Sequence, residues 1–202
     1  MDHRKALADI DDIRSQMAAN TTFHGFGPAA LTATGLLALL TATTQEFALE
    51  RTWLDPMPFF TCWILVAILS AILVGGEMVV RTRRRHSGLA DAMIYNAIQQ
   101  FLPAGAAGAA IAVVVMRFSP ETSWILPGLW AILVGIGIFP AARTLPQGTV
   151  LAAAWYFVSG WVVLMMAAAD HSVSPWFMGI PFAVGQLLLA GVIHRSGDRH
   201  AE

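Results

Sequence analysis

The chain has 202 residues, 56% of them hydrophobic and only 12% charged, with a net charge of −1. Soluble domains usually carry about 25% charged residues, so this composition excludes an ordinary soluble fold, and the near-neutral charge gives no electrostatic footprint for a nucleic-acid partner. The single Cys62 excludes an intrachain disulfide and, inside an apolar stretch, reads as a small packing residue.

The N-terminus is the polar part of the chain. Over residues 3–19, Leu7, Ile10, Ile13 and Met17 recur at helical spacing, with Lys5, Asp9, Asp12 and Gln16 on the other side. This predicts an amphipathic helix within residues 1–22. Arg4, Lys5 and Arg14 stand there against Asp2, Asp9, Asp11 and Asp12. A helix lying on a membrane is normally rich in Lys and Arg, so the apolar face is expected to dock on protein, either the bundle itself or a partner. The segment lacks the short basic start and immediate apolar core of a cleaved signal peptide. Gly25, Gly27 and Pro28 then break the chain before the first apolar run.

Six spans follow, expected at 26–44, 57–80, 93–116, 123–142, 150–169 and 176–194. Each has about the 20 residues a helix needs to cross the hydrocarbon layer. The first is the weakest, being rich in Ala and Thr. The connections are short, which forces neighbouring spans to pack antiparallel. The fold class is therefore all-α, a polytopic membrane helical bundle. It divides into the N-terminal helix at 1–22, a transmembrane domain at 23–195 and a short tail at 196–202. In the third span the run Ala104–Ala110 contains only Ala and Gly, and such runs let another helix approach closely. The neighbour is expected within the chain; a homo-oligomer contact is the alternative. Gly135, Gly137 and Gly185 offer the same opportunity on later spans. Pro103, Pro127, Pro140 and Pro181 lie within or at the ends of spans.

Orientation comes from the basic residues. One side holds Arg4, Lys5, Arg14, Arg81, Arg83, Arg84, Arg85, Arg143, Arg195 and Arg199; the other holds only Arg51 and Arg117. The first group belongs in the cytoplasm, with both termini. Trp53, Trp63, Trp124 and Trp176 mark the opposite ends and suggest an aromatic belt.

Ionisable groups inside spans are the usual pointer to function, and few exist here. Glu77 lies one turn before Arg81 and is expected to pair with it. Asn96, Gln99, Gln100, Tyr156, Gln186 and Thr32, with Thr34, fall at similar depth in the cytoplasmic half. They form a candidate polar layer, either interhelical bonding or the floor of a pocket. His24, Glu77 and His194 are candidates at the cytoplasmic face. Two facing histidines could ligate a haem iron, yet no attachment motif accompanies His24 and His194. No metal or cofactor is expected, and no phosphate loop, metalloprotease helix or nucleophile elbow is present in the sequence.

The stretch Ile13-Arg14-Ser15-Gln16-Met17-Ala18-Ala19-Asn20-Thr21-Thr22-Phe23 resembles the entry to the first span in an uncharacterised family of bacterial six-span inner-membrane proteins. Asn20 stands where that family usually has serine. The resemblance implies the same topology, a bacterial source and an inner-membrane location, and it carries no activity. The function expected from the residues is a non-enzymatic accessory or signalling membrane subunit, contacting a protein partner through the N-terminal helix. The alternative is a small transporter or channel with a polar pocket in the cytoplasmic half.

Overall fold

The apolar runs become helices because a helix satisfies its own backbone where no water can. The structure is a computed structural model that describes residues 27–47, 56–85, 90–142, 145–146 and 148–198. Among these, α1 spans Pro28–Phe47, α2 Pro56–Arg85, α3 Ala90–Phe118, α4 Leu126–Ala141, α5 Thr149–Asp170 and α6 Pro175–Asp198. A 3-10 turn at Pro120–Ile125 leads into α4. The N-terminal helix expected at 1–22, His24, Trp53 and the end of the tail lie outside the described residues.

Five helical segments are long and apolar enough to cross a membrane: α2, α3, α5, α6, and the 3-10 turn together with α4. The chain is thus an all-helical membrane protein over its described residues. α1 has the length, at 20 residues, but five threonines, Gln45 and Glu46 lower its apolarity. α2 and α3 run to 30 and 29 residues, about 45 Å at 1.5 Å per residue. That exceeds a hydrocarbon layer of about 30 Å, so both helices tilt or emerge from it.

Each helix packs antiparallel on the next, and α6 returns to α1, so the described helices close into a ring. Two contacts dominate, α4 against α5 and α1 against α6. Both are made by small residues. A Cβ on Gly128 would come within 2.5 Å of the Gly160 carbonyl, and one on Gly160 within 2.6 Å of the Gly128 carbonyl. One heptad on, a Cβ on Gly135 would lie 3.0 Å from the Ala153 carbonyl. Across α1 and α6, Gly35 faces Ala183 and Gln186, and Ala42 faces Gly179. The small-residue run of α3 behaves differently. Ala104, Ala107 and Gly108 turn inward, whereas Gly105, Ala106, Ala109 and Ala110 are exposed.

The packing is uneven. Only 17% of the spanning window of α2, and the same share of α3, is buried, against 44% for the span containing α4. Among the described residues the interior holds three apolar clusters. Phe59, Phe60, Trp63, Leu126 and Met178 fill the end away from the arginines, Ala131, Ile138, Ala153 and Tyr156 the middle, and Met78, Ala141 and Leu145 the arginine-rich end. Trp63 corrects the expected aromatic belt. It is only 3% exposed, because Gln45 of α1 draws its indole inward. Trp124 stays near the surface and stacks edge-on against His171, 5.0 Å away. Pro127 sits in the first turn of α4, where its missing N–H costs little.

Replacing Gly160 by Ala is expected to force α4 and α5 apart at a cost of about 1–3 kcal/mol. Gly105→Ala, with nothing within 4 Å of the new methyl, should cost nothing comparable. Thermal unfolding of both variants in detergent, followed by circular dichroism, checks this; equal midpoints would refute the close-contact argument.

Candidate functional site

Among the described residues, three polar nodes stand out where helices meet. The first begins with a helix problem. The first N–H groups of α1 have no carbonyl a turn earlier, and Pro28 removes only one of them. Glu77 of α2 supplies the acceptor. The Ala30 N–H donates to Glu77 Oε2 at 2.9 Å, while Arg81 Nε donates to Oε1 at 2.7 Å. The carboxylate also meets the positive end of the α1 dipole. It approaches the chain so closely that a Cβ on Gly27 would overlap it. The Glu77–Arg81 pair is the one the spacing predicts, and its contact with α1 is what the spacing could not reveal.

The second node lies inside the bundle, about 10 Å from the arginine-rich end of α5. Tyr156 is fully buried, and its hydroxyl donates to the Phe182 carbonyl at 3.4 Å. The Gln186 side chain lies beside the same phenol. Next to it, Trp155 Nε1 donates to the Pro181 carbonyl at 3.0 Å. Gly185 leaves room for the ring, since a Cβ there would run into it. Gln186 Oε1 is buried without a hydrogen-bond partner among the described residues.

The third node, at the opposite end, was missed by the sequence reading. Gln45 is 1% exposed. Its Oε1 accepts from Trp63 Nε1 at 2.8 Å, and its Nε2 donates to the Phe59 carbonyl at 3.4 Å. The available signal was a glutamine directly after the expected end of the first span. It falls just outside the span expected at 26–44.

The candidate polar layer therefore separates into parts. Tyr156 and Gln186 meet. Thr32 donates to the Pro28 carbonyl of its own helix at 2.8 Å. Gln99 donates to the Tyr95 hydroxyl at 2.8 Å on an exposed face. Asn96 and Gln100 are half-buried on α3, which packs on α2 and α4 rather than mainly on α6. Phe101 of α3 is instead the residue packed onto the Tyr156 cluster. Depth along a span can be counted from sequence, but the direction a side chain faces depends on helix rotation. His194 lies exposed on the last turns of α6. Among the described residues no three His, Cys, Asp or Glu side chains assemble as a metal site.

No family model, curated protein or solved structure matches the chain.

Glu77→Ala is expected to expose the first turn of α1. Losing a side-chain cap costs about 1 kcal/mol, so hydrogen exchange at Ala30 should quicken roughly fivefold. Arg81→Ala, which keeps the acceptor, should have a smaller effect. Exchange followed by mass spectrometry in detergent decides it, and unchanged protection in Glu77→Ala would show that the carboxylate does not hold the helix.

Proposed function

We propose that the chain is a six-span protein of a bacterial inner membrane, with both termini in the cytoplasm. It serves as a non-enzymatic accessory or signalling subunit that docks a protein partner through its N-terminal segment. The observation that carries this reading is the grip of Glu77 on the first turn of α1. α1 is the helix continuous with the N-terminal segment. Any partner that displaces that segment pulls on Gly27 and Ala30, and through Glu77 and Arg81 on α2 as well. A docking event at the membrane surface is thereby mechanically registered by two helices. The aromatic donors Trp63, Trp130, Trp155 and Tyr156 are each engaged in a bond between helices, which suits a structural bundle, whereas the buried Thr82 and Thr149 hydroxyls have no partner among the described residues.

The sixth span is supported by how α1 handles its polar atoms. Thr32, Thr34, Thr41, Thr43 and Thr44 each donate to a carbonyl of the preceding turn, at 2.7–2.9 Å. A hydroxyl bonded to its own helix needs no water, so it can enter hydrocarbon at reduced cost. Gln45 is satisfied by α2 in the same way. The ten-to-two distribution of basic residues supports the orientation, and the likeness of residues 13–23 to the bacterial family supports the source.

Two experiments follow. In a Cys62→Ala background, single cysteines at Ser15→Cys, Glu50→Cys and Ser87→Cys are labelled with an impermeant maleimide in sealed vesicles. Positions 15 and 87 should react from one side and position 50 from the other; positions 15 and 50 reacting together would remove the sixth span. In a pull-down from native membranes in mild detergent, the full chain should retain a stoichiometric partner that a chain lacking residues 1–20 loses. A partner retained equally by both chains would overturn the docking role of the segment.

A further inference from the structure

A cleft of about 470 Å³ opens on α2 near its arginine-rich end, lined by Gly76, Glu77, Val80, Arg81 and Arg84. Helical spacing explains the grouping. Gly76, Val80 and Arg84 stack one turn apart, with Glu77 and Arg81 in the adjoining row. The two rows differ in charge. Glu77 and Arg81 close on each other at 2.7 Å, so that pair is neutral as a unit. Arg84 is exposed and has no ion-pair partner among the described residues, leaving the cleft with one uncompensated positive charge.

Below the guanidinium the lining becomes apolar within about 12 Å of helix. Val80 is half exposed, a Cβ on Gly76 would meet nothing within 4 Å, and Ile72 and Leu69 continue as exposed apolar surface. We infer that this cleft binds the headgroup of an anionic phospholipid, with Arg84 contacting the phosphate and Gly76 and Val80 seating the glycerol and the top of an acyl chain. A charge above an apolar wall matches a phospholipid end to end. A free phosphate would use the charge and leave the apolar wall unused. Glu77 sharpens the selection, because its carboxylate neutralises Arg81 and leaves Arg84 to take the anion. The site needs only that the helices cross a bilayer, so it stands or falls separately from the accessory role and orientation proposed above.

Arg83 provides the internal comparison. It lies beside Arg84 and carries the same charge, but it points towards Asp91, 3.9 Å away, and does not line the cleft. A merely diffuse positive helix end would treat the two arginines alike.

The test uses the purified full chain in phosphatidylcholine vesicles doped with spin-labelled phosphatidylglycerol or spin-labelled phosphatidylcholine. The motionally restricted fraction of each label reports binding by electron paramagnetic resonance. The protein should restrict phosphatidylglycerol preferentially. Arg84→Gln should reduce that preference roughly fivefold, in line with the contribution of one basic residue near an anionic surface. Arg84→Lys should retain most of it and Arg83→Gln nearly all. Arg84 is exposed, so these changes leave the packing intact, and unchanged circular dichroism verifies this. Equal losses in Arg83→Gln and Arg84→Gln would overturn the site in favour of bulk charge. So would the absence of any preference in the unaltered protein. Displacement of the lipid by inorganic phosphate at constant ionic strength would reassign the cleft to a free anion.

Discussion

Between Gly128 and Gly160 the backbones of α4 and α5 come so close that neither position has space for a methyl group. Much of the rest of the fold depends on contacts of this kind. In water, apolar helices are driven together by the solvent they exclude. In a bilayer the tails are as apolar as leucine, and that drive is absent. What remains is dispersion, which rewards many atoms at short range, and a few polar bonds. Small residues provide the short range in both dominant pairs, through Gly128, Gly135 and Gly160 in one and Gly35, Ala42, Gly179 and Ala183 in the other. The aromatic residues provide the polar bonds. Trp130 donates to the Gly108 carbonyl at 3.1 Å, and Trp155 and Tyr156 reach successive carbonyls of α6. Each ring also fills volume, so one side chain both packs and bonds. Phe60, for example, meets the Trp130 ring edge-on at 5.7 Å.

The same constraint governs polar groups. A hydroxyl, amide or carboxylate on an apolar helix costs least where a partner is already in place. The threonines of α1 find theirs on their own backbone, Gln45 finds its partners on α2, and Glu77 finds two at once. The acceptor needed by the start of α1 and the anion needed by Arg81 are one carboxylate, so a single residue solves two desolvation problems.

Much of the architecture was legible in the sequence, since a span is set by its length and the bilayer's thickness is constant. The helices start and stop within a few residues of the expected limits, and the Glu77–Arg81 pair follows from one turn of spacing. Rotation about the helix axis was not legible. The run Ala104–Ala110 is small on every face, so composition alone could not show that Gly105, Ala106, Ala109 and Ala110 would face outward. The polar layer divides for the same reason, with Tyr156 and Gln186 side by side while Gln99 turns to Tyr95. Trp63 was placed at an interface because tryptophan is common there; its destination was decided by Gln45, on a different helix. Contacts between helices are properties of pairs, and a single span's sequence holds only half of each.

The pairing of α1 with α6 bears on how the protein is made. The threonine-rich α1 has its most extensive contact with the last helix of the ring, α6. Before α6 is made, the face carrying Gly35, Ala38 and Ala42 has no counterpart. The earliest contacts open to it are those with α2, through Gln45 and Trp63 at one end and Glu77 at the other. These two polar clasps can hold α1 beside α2 during synthesis, while its small-residue face waits. Arrival of α6 then closes the ring and fixes the arrangement. The two hydrogen-bonded ends need only α1 and α2, whereas the small-residue length between them needs α6.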